Sequence, residues 1–194
     1  MFNPYPQICL YNDFIGFNYI WEMVTKIILV GMMGAGKTTV GKLLAKKLDY
    51  FFCDIDKKIE EKSGVKINTI FEFEGEEGFR EREHLMLQDS LNLDKVIIST
   101  GGGIITNQSN RDLLKSEGAF VIYLKASLQI LNERLKNDKT RPMLNEKNKL
   151  DTLNLLLRKR EGFYEEVASL VIDTTQIKST KVIDVILREL NFNE

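Results

Sequence analysis

Residues 26–41, KIILVGMMGAGKTTVG, leave the chain few choices of fold. Ile27–Val30 is a short apolar run rich in β-branched residues, which predicts a buried strand. Gly31, Gly34 and Gly36 then predict a loop, and Lys37-Thr38-Thr39 opens a helix whose apolar positions are Val40, Leu43, Leu44 and Leu48. The spacing of Gly31, Gly36, Lys37 and Thr38 is G-x-x-x-x-G-K-[ST]. Glycines let backbone N–H groups close around phosphates, and the helix start adds unpaired donors and a positive dipole end. A glycine-rich turn with a chance lysine is the bland alternative. The strand before the motif and the amphipathic helix after it favour phosphate binding. In that reading Gly34, Ala35, Gly36, Lys37, Thr38 and Thr39 hold the nucleotide. Lys37 bridges the β- and γ-phosphates, and the Thr38 hydroxyl is a ligand for Mg²⁺.

Four further strands are expected, at 50–54, 95–100, 119–124 and 169–172. Helices are expected at 56–62, 67–73, 76–91, 107–116, 127–136, 150–167 and 180–190. Strands alternating with helices predict an α/β fold of three layers, a five-stranded parallel sheet with helices on both faces. A length of 194 residues suits one such domain. Residues 137–148, polar and broken by Pro142, are expected to form a mobile lid loop, about 136–148. Ligands of such sheets bind beyond the carboxyl ends of the strands. The Gly31–Thr38 loop, Asp54 and Asp56, and Gly101–Gly103 each follow a strand, so all should face one crevice.

Phosphoryl transfer needs metal, positioning and an acceptor hydroxyl. Asp54 is the candidate acid near Mg²⁺, and Asp56, two residues on, could orient a hydroxyl and accept its proton. Both could instead cap the next helix, for which Asp is well suited. Three glycines directly after a buried strand point to a ligand approaching the backbone rather than to a loose turn. Arg80 and Arg160, if turned inward, would clamp a carboxylate; arginines on helices more often snorkel at the surface. Arg141-Pro142 in the polar loop suggests a cation brought to the transferring phosphate. Taken from the residues alone, this is an ATP-dependent kinase of a small, hydroxylated, anionic molecule.

Other features exclude rather than specify. The net charge of −1 gives no global attraction to nucleic acid or to an anionic membrane. Residues 134–160 carry nine Lys and Arg against three acids, which reads first as a solvated face. Cys9 and Cys53 form no C-x-x-C, so neither a zinc signature nor a disulfide framework is present. His84, the single histidine, is read as a surface or packing residue. Residues 1–25 are rich in aromatics and lack Lys and Arg, unlike a secretory or transit leader. They are expected to be a dispensable extension with a natural start at Met23, an added strand or helix being the alternative.

The order GMMGAGKTT, DID, FEGEEGFRERE, STGGG, TRP, RKREGFYEEVA and IDTT resembles the shikimate kinases from about Lys26 to the C-terminus. The first motif alone is shared with many NTPases; the combination is far more specific. The resemblance implies transfer of the ATP γ-phosphate to the 3-hydroxyl of shikimate, in the biosynthesis of chorismate and aromatic amino acids. It implies that Lys37 polarises phosphate, that Thr38 and Asp54 serve Mg²⁺, and that Asp56 binds shikimate hydroxyls and is the base. It further implies that Arg80 and Arg160 hold the shikimate carboxylate and that Gly101, Gly102 and Gly103 line its pocket. Arg141 would contact ATP from the lid, and Arg134 would lie by the adenine. A cytoplasmic monomer is implied, with no nucleic-acid or membrane partner.

Three rivals remain. Asn148–Asp151 reads N-K-x-D, a guanine signature, but it follows a polar loop and no D-x-x-G occurs downstream of Gly31. A gluconate-type or nucleoside-monophosphate kinase shares the first motif and the lid but not the DID, FR and GGG combination. A nucleic-acid module would need aromatics among the basic residues of 134–160, and none occurs there.

Overall fold

The computed structural model describes residues 24–116, 118–136 and 149–190. Five strands form one parallel sheet in the order β2-β3-β1-β4-β5. They are β1 (Lys26–Val30), β2 (Phe51–Asp54), β3 (Val96–Ser99), β4 (Ala119–Lys125) and β5 (Leu170–Asp173). The central three are continuous apolar runs: Ile27–Val30, Val96–Ile98 and Val121–Leu124 are all at most 1% exposed. That is the pattern of strands covered on both faces. Polar residues stand only where these strands end.

Seven helices connect and cover the strands among the described residues: α1 (Lys37–Leu48), α2 (Ile55–Ser63), α3 (Ile67–Leu91), α4 (Gln108–Leu114), α5 (Leu128–Arg134), α6 (Lys149–Val167) and α7 (Ser179–Glu189). Helix α1 packs on β1, β2, β3 and α7, while α6 packs on β4, α4 and α5. The α1–β2 contact is tight, because a Cβ at Gly41 would stand 2.5 Å from the Phe52 ring.

All expected strands and helices are present, with ends shifted by a residue or two. The expected helices on either side of Gly75 run as one segment, α3, but Gly75 itself is non-helical at φ 71 and ψ −171. A glycine reaches that conformation without a Cβ clash, so the break falls there. A 3-10 turn at Ile104–Thr106, too short to show in the apolar pattern, joins the triple glycine to α4. Lys149 and Asp151, of the N-K-x-D string, lie in the first turn of α6 rather than in a loop after a strand. Residues 137–148, with Arg141, and residues 1–23 lie outside the described residues.

The sheet order makes the crevice. Strand β1 has β3 on one side and β4 on the other, and its chain leaves toward β2. Loops leaving β1 and β3 therefore open over one switch point, where ligands of such sheets bind. Register finishes the placement: Leu29 and Asp54 both pair with Ser99, so the ends of β1, β2 and β3 are level.

Candidate active site

The carboxyl ends of the strands surround a crevice of about 1200 Å³. Its walls include Gly34–Thr39, Asp54, Asp56, Arg80, Gly101–Gly103, Arg134 and Arg160. The structure thus brings together every expected site residue among those described.

The donor side is built by backbone. Gly31, Gly34 and Gly36 have φ of 141°, 82° and 100°, and a Cβ at Gly31 would stand 2.6 Å from the Leu124 carbonyl oxygen. Only glycine takes this path cheaply. Gly36 caps α1 with no side-chain hydrogen bond, and no acid occupies the first turn. The first N–H groups of α1 are thus left to a ligand of negative charge. Lys37 is 7% exposed, and its Nζ donates to the carbonyls of Gly31 at 2.8 Å and Met32 at 3.0 Å. The ammonium therefore braces the loop from within.

Thr38 Oγ1 donates to Asp54 Oδ2 at 2.9 Å, with Ser99 Oγ at 3.4 Å. The other Asp54 oxygen accepts from Lys57 N at 3.3 Å and caps α2. The expected helix cap is thus present on one oxygen, and the other meets the Thr38 hydroxyl. Asp56 lies in the first turn of α2, where a Cβ at Gly101 would stand 3.0 Å from its Oδ1.

The acceptor side carries two inward arginines. Arg160 is 3% exposed, so this member of the basic run is no part of a solvated face. Arg80 Nη1 donates to Glu83 Oε2 at 2.6 Å, and its Nη2 to Glu76 Oε1 at 3.0 Å. Burial works against the charge of Arg80, but Glu83 and Glu76 outweigh it and raise its pKa. Burial chiefly, against a pull from Tyr164 and with a push from the like charge of Arg80, lowers that of Arg160. Two guanidinium groups that repel one another across a crevice favour an anion between them. The triple glycine lies against these side chains. A Cβ at Gly103 would be 2.1 Å from Arg80 Nη2, and one at Gly101 would be 2.2 Å from Glu83 Oε1.

Arg134 joins the donor loop to the end of β5. Its guanidinium donates to Thr174 O at 2.8 Å and to Gly34 O at 3.3 Å.

Glu83 and Tyr164 were not among the expected site residues. Glu83 has no solvent exposure, and burial chiefly pushes its pKa up to about 7, against the pull of Arg80 and with the added repulsion of Asp56. Its one sequence signal is the spacing of three from Arg80, which puts both on one helix face. Tyr164, also unexposed, donates its hydroxyl to the Gly102 carbonyl; it stands four residues beyond Arg160. His84 Nδ1 bonds Asn110 Oδ1 at 2.6 Å between α3 and α4, which is a packing role.

Comparison with known proteins gives a consistent result. Residues 33–191 match the family model described as Shikimate kinase. A shikimate kinase of Bordetella avium is 46% identical over 168 residues, 87% of this chain and 80% of the relative. The solved structure of shikimate kinase from Acinetobacter baumannii in complex with shikimate aligns with a TM-score of 0.85 at 41% identity. That alignment covers 90% of this chain and 97% of that one. A gluconokinase from Sinorhizobium meliloti aligns with a TM-score of 0.59 at 18% identity, over 88% of this chain and 93% of that one, a likeness of fold alone.

Proposed function

The chain belongs to the shikimate kinase family, and from that premise we propose that it transfers the γ-phosphate of ATP to the 3-hydroxyl of shikimate. The products are shikimate 3-phosphate and ADP, within the biosynthesis of chorismate and aromatic amino acids. One observation carries the acceptor assignment: Arg80, which lies against Gly103, and Arg160 line the same crevice as the phosphate-binding loop. A planar carboxylate fits guanidinium donors bidentately. A ring held there by its carboxylate presents its hydroxyls toward Asp56.

The residues then divide by role. Gly34, Ala35, Gly36, Thr38 and Thr39 offer backbone N–H groups to the phosphates. Lys37 turns from the Gly31 and Met32 carbonyls to the transferring group, between the two substrates. Asp56 orients the 3-hydroxyl and accepts its proton. Gly101, Gly102 and Gly103 let the ring approach the backbone. Arg134 lies by the adenine, supported by its bonds to the segment after β5. Arg141 contacts ATP from the lid.

Mg²⁺ is the expected cofactor, and the residues fit it. Thr38, at the start of α1, and Asp54, at the end of β2, supply hard oxygen donors 2.9 Å apart. A cation that keeps several waters and takes few protein ligands needs little more. When bound, it neutralises charge on the β- and γ-phosphates. Thr38 would hold it directly and Asp54 through water. We place the enzyme in the cytoplasm as a monomer that acts on ATP and shikimate, without a nucleic-acid or membrane partner. Among the described residues no helix is long and apolar enough to cross a membrane.

Phosphorus NMR of the product tests the position of transfer. Coupling of the ester phosphorus to the ring proton at carbon 3 is expected. Coupling at another carbinol proton would overturn the assignment of the hydroxyl.

A further inference from the structure

Helix α6 places a second side chain behind the crevice wall, against Gly102. This is Tyr164, and it is fully buried. Its hydroxyl donates to the Gly102 carbonyl, with Arg160 one helical turn before it on α6. Met32 Sδ, in the phosphate-binding loop, is 3.6 Å from that oxygen. The ring is set independently of the hydroxyl, stacked on Tyr123 of β4 at a centroid distance of 4.9 Å and 23°. Gly102 itself touches the donor loop, since a Cβ there would stand 3.2 Å from Met33 N and 3.5 Å from Gly31 O. The glycine loop and the donor loop thus meet at one oxygen, one helical turn from the inner arginine.

We propose that Tyr164 is a positioning residue, whose hydroxyl holds Arg160 and the Gly102 carbonyl in register with the phosphate-binding loop and so aligns the acceptor with the donor. This rests on the assignment of shikimate to the site. A phenyl ring alone would satisfy the packing. The hydroxyl is kept in a dry place, where it costs free energy unless paired at both its donor and its acceptor side. Removing it takes this donor from the Gly102 carbonyl and lets the neighbouring Arg160 side chain reorient, and both residues line the crevice. A misplacement of about 1 Å at groups that position a substrate can cost a hundredfold in rate.

The test is Tyr164→Phe, with Tyr123→Phe as a control that removes the other hydroxyl of the stack. For Tyr164→Phe, kcat/KM for shikimate is expected to fall about ten- to a hundredfold, with the KM for ATP unchanged and the unfolding midpoint nearly so. Tyr123→Phe is expected to leave all three near wild type. An unchanged kcat/KM in Tyr164→Phe, an equal loss in Tyr123→Phe, or parallel losses in ATP binding and midpoint would overturn the proposal. Because the phenylalanine variant could fold poorly, 3-fluorotyrosine at position 164 supplies a second reading with the hydroxyl retained. Its fluorine resonance is expected to shift when shikimate alone is added, and no shift would overturn the proposal. The wild-type arm stands apart: absence of turnover with shikimate there contradicts the substrate, not the role of Tyr164.

Discussion

Arg80 Nη1 and Glu83 Oε2 stand 2.6 Å apart at a site where Glu83 has no contact with solvent. Burial disfavours the carboxylate more than the guanidinium favours it, so the Glu83 carboxyl titrates near 7 rather than 4.5. Between those values the folded chain keeps a proton that the unfolded chain has lost. Stability therefore falls as pH rises through that window and is flat above it. Glu83→Gln cannot titrate and should remove this part of the slope, at most on the order of 3 kcal/mol. Denaturant midpoints of both proteins between pH 4.5 and 8 would check it. Identical pH profiles would show that Glu83 is ordinary in the fold.

Asp56→Asn keeps the shape of the side chain and removes its capacity to take a proton. Turnover is expected to fall about 10²- to 10⁴-fold, with nucleotide affinity retained. Steady-state rates together with nucleotide titration separate the two. Full activity in the variant would end the assignment of Asp56 as base.

Gly103→Ala places a methyl group 2.1 Å from Arg80 Nη2. Arg80 can give way, but only by leaving Glu83 and Glu76. The KM for shikimate is expected to rise at least about tenfold, since a misplacement of 1 Å can cost a hundredfold. The KM for ATP should stay within a factor of about two. Equal weakening of both substrates would mean that the loop as a whole had been disturbed.

A chain beginning at Met23 should fold and turn over like the full one. Tyr50 Oη donates to Val24 O at 3.2 Å, and Val96 N to Thr25 O at 2.9 Å, and a chain beginning at Met23 keeps both bonds. Melting temperature and kcat of the two chains decide the matter. A loss in either assigns residues 1–22 a part in the domain.

The sheet was legible because its signals are local. Ile27–Val30 and Val96–Ile98 are unbroken apolar runs, and glycines mark where they end. The donor loop was legible for the same reason, since one contiguous motif holds its lysine, glycines and hydroxyl. The acceptor side was only partly so. The triple glycine announces that something approaches the backbone, but that Arg80 and Glu83 do so depends on how α3 crosses the end of β3. Glu83 sits in an acidic run, EREH, that reads as solvated, and only tertiary packing buries it. Arg160 carries the same lesson, being a buried member of a basic run. Tyr164 gave no comparable signal, because a hydroxyl's partner cannot be read from helix period.

The most direct measurement is ADP release by the purified enzyme with ATP and, in parallel, shikimate, gluconate, AMP or no acceptor. Release well above background with shikimate alone is expected. Equal or faster release with gluconate or AMP, or release that does not depend on any acceptor, would contradict the reading of this crevice as a shikimate kinase site.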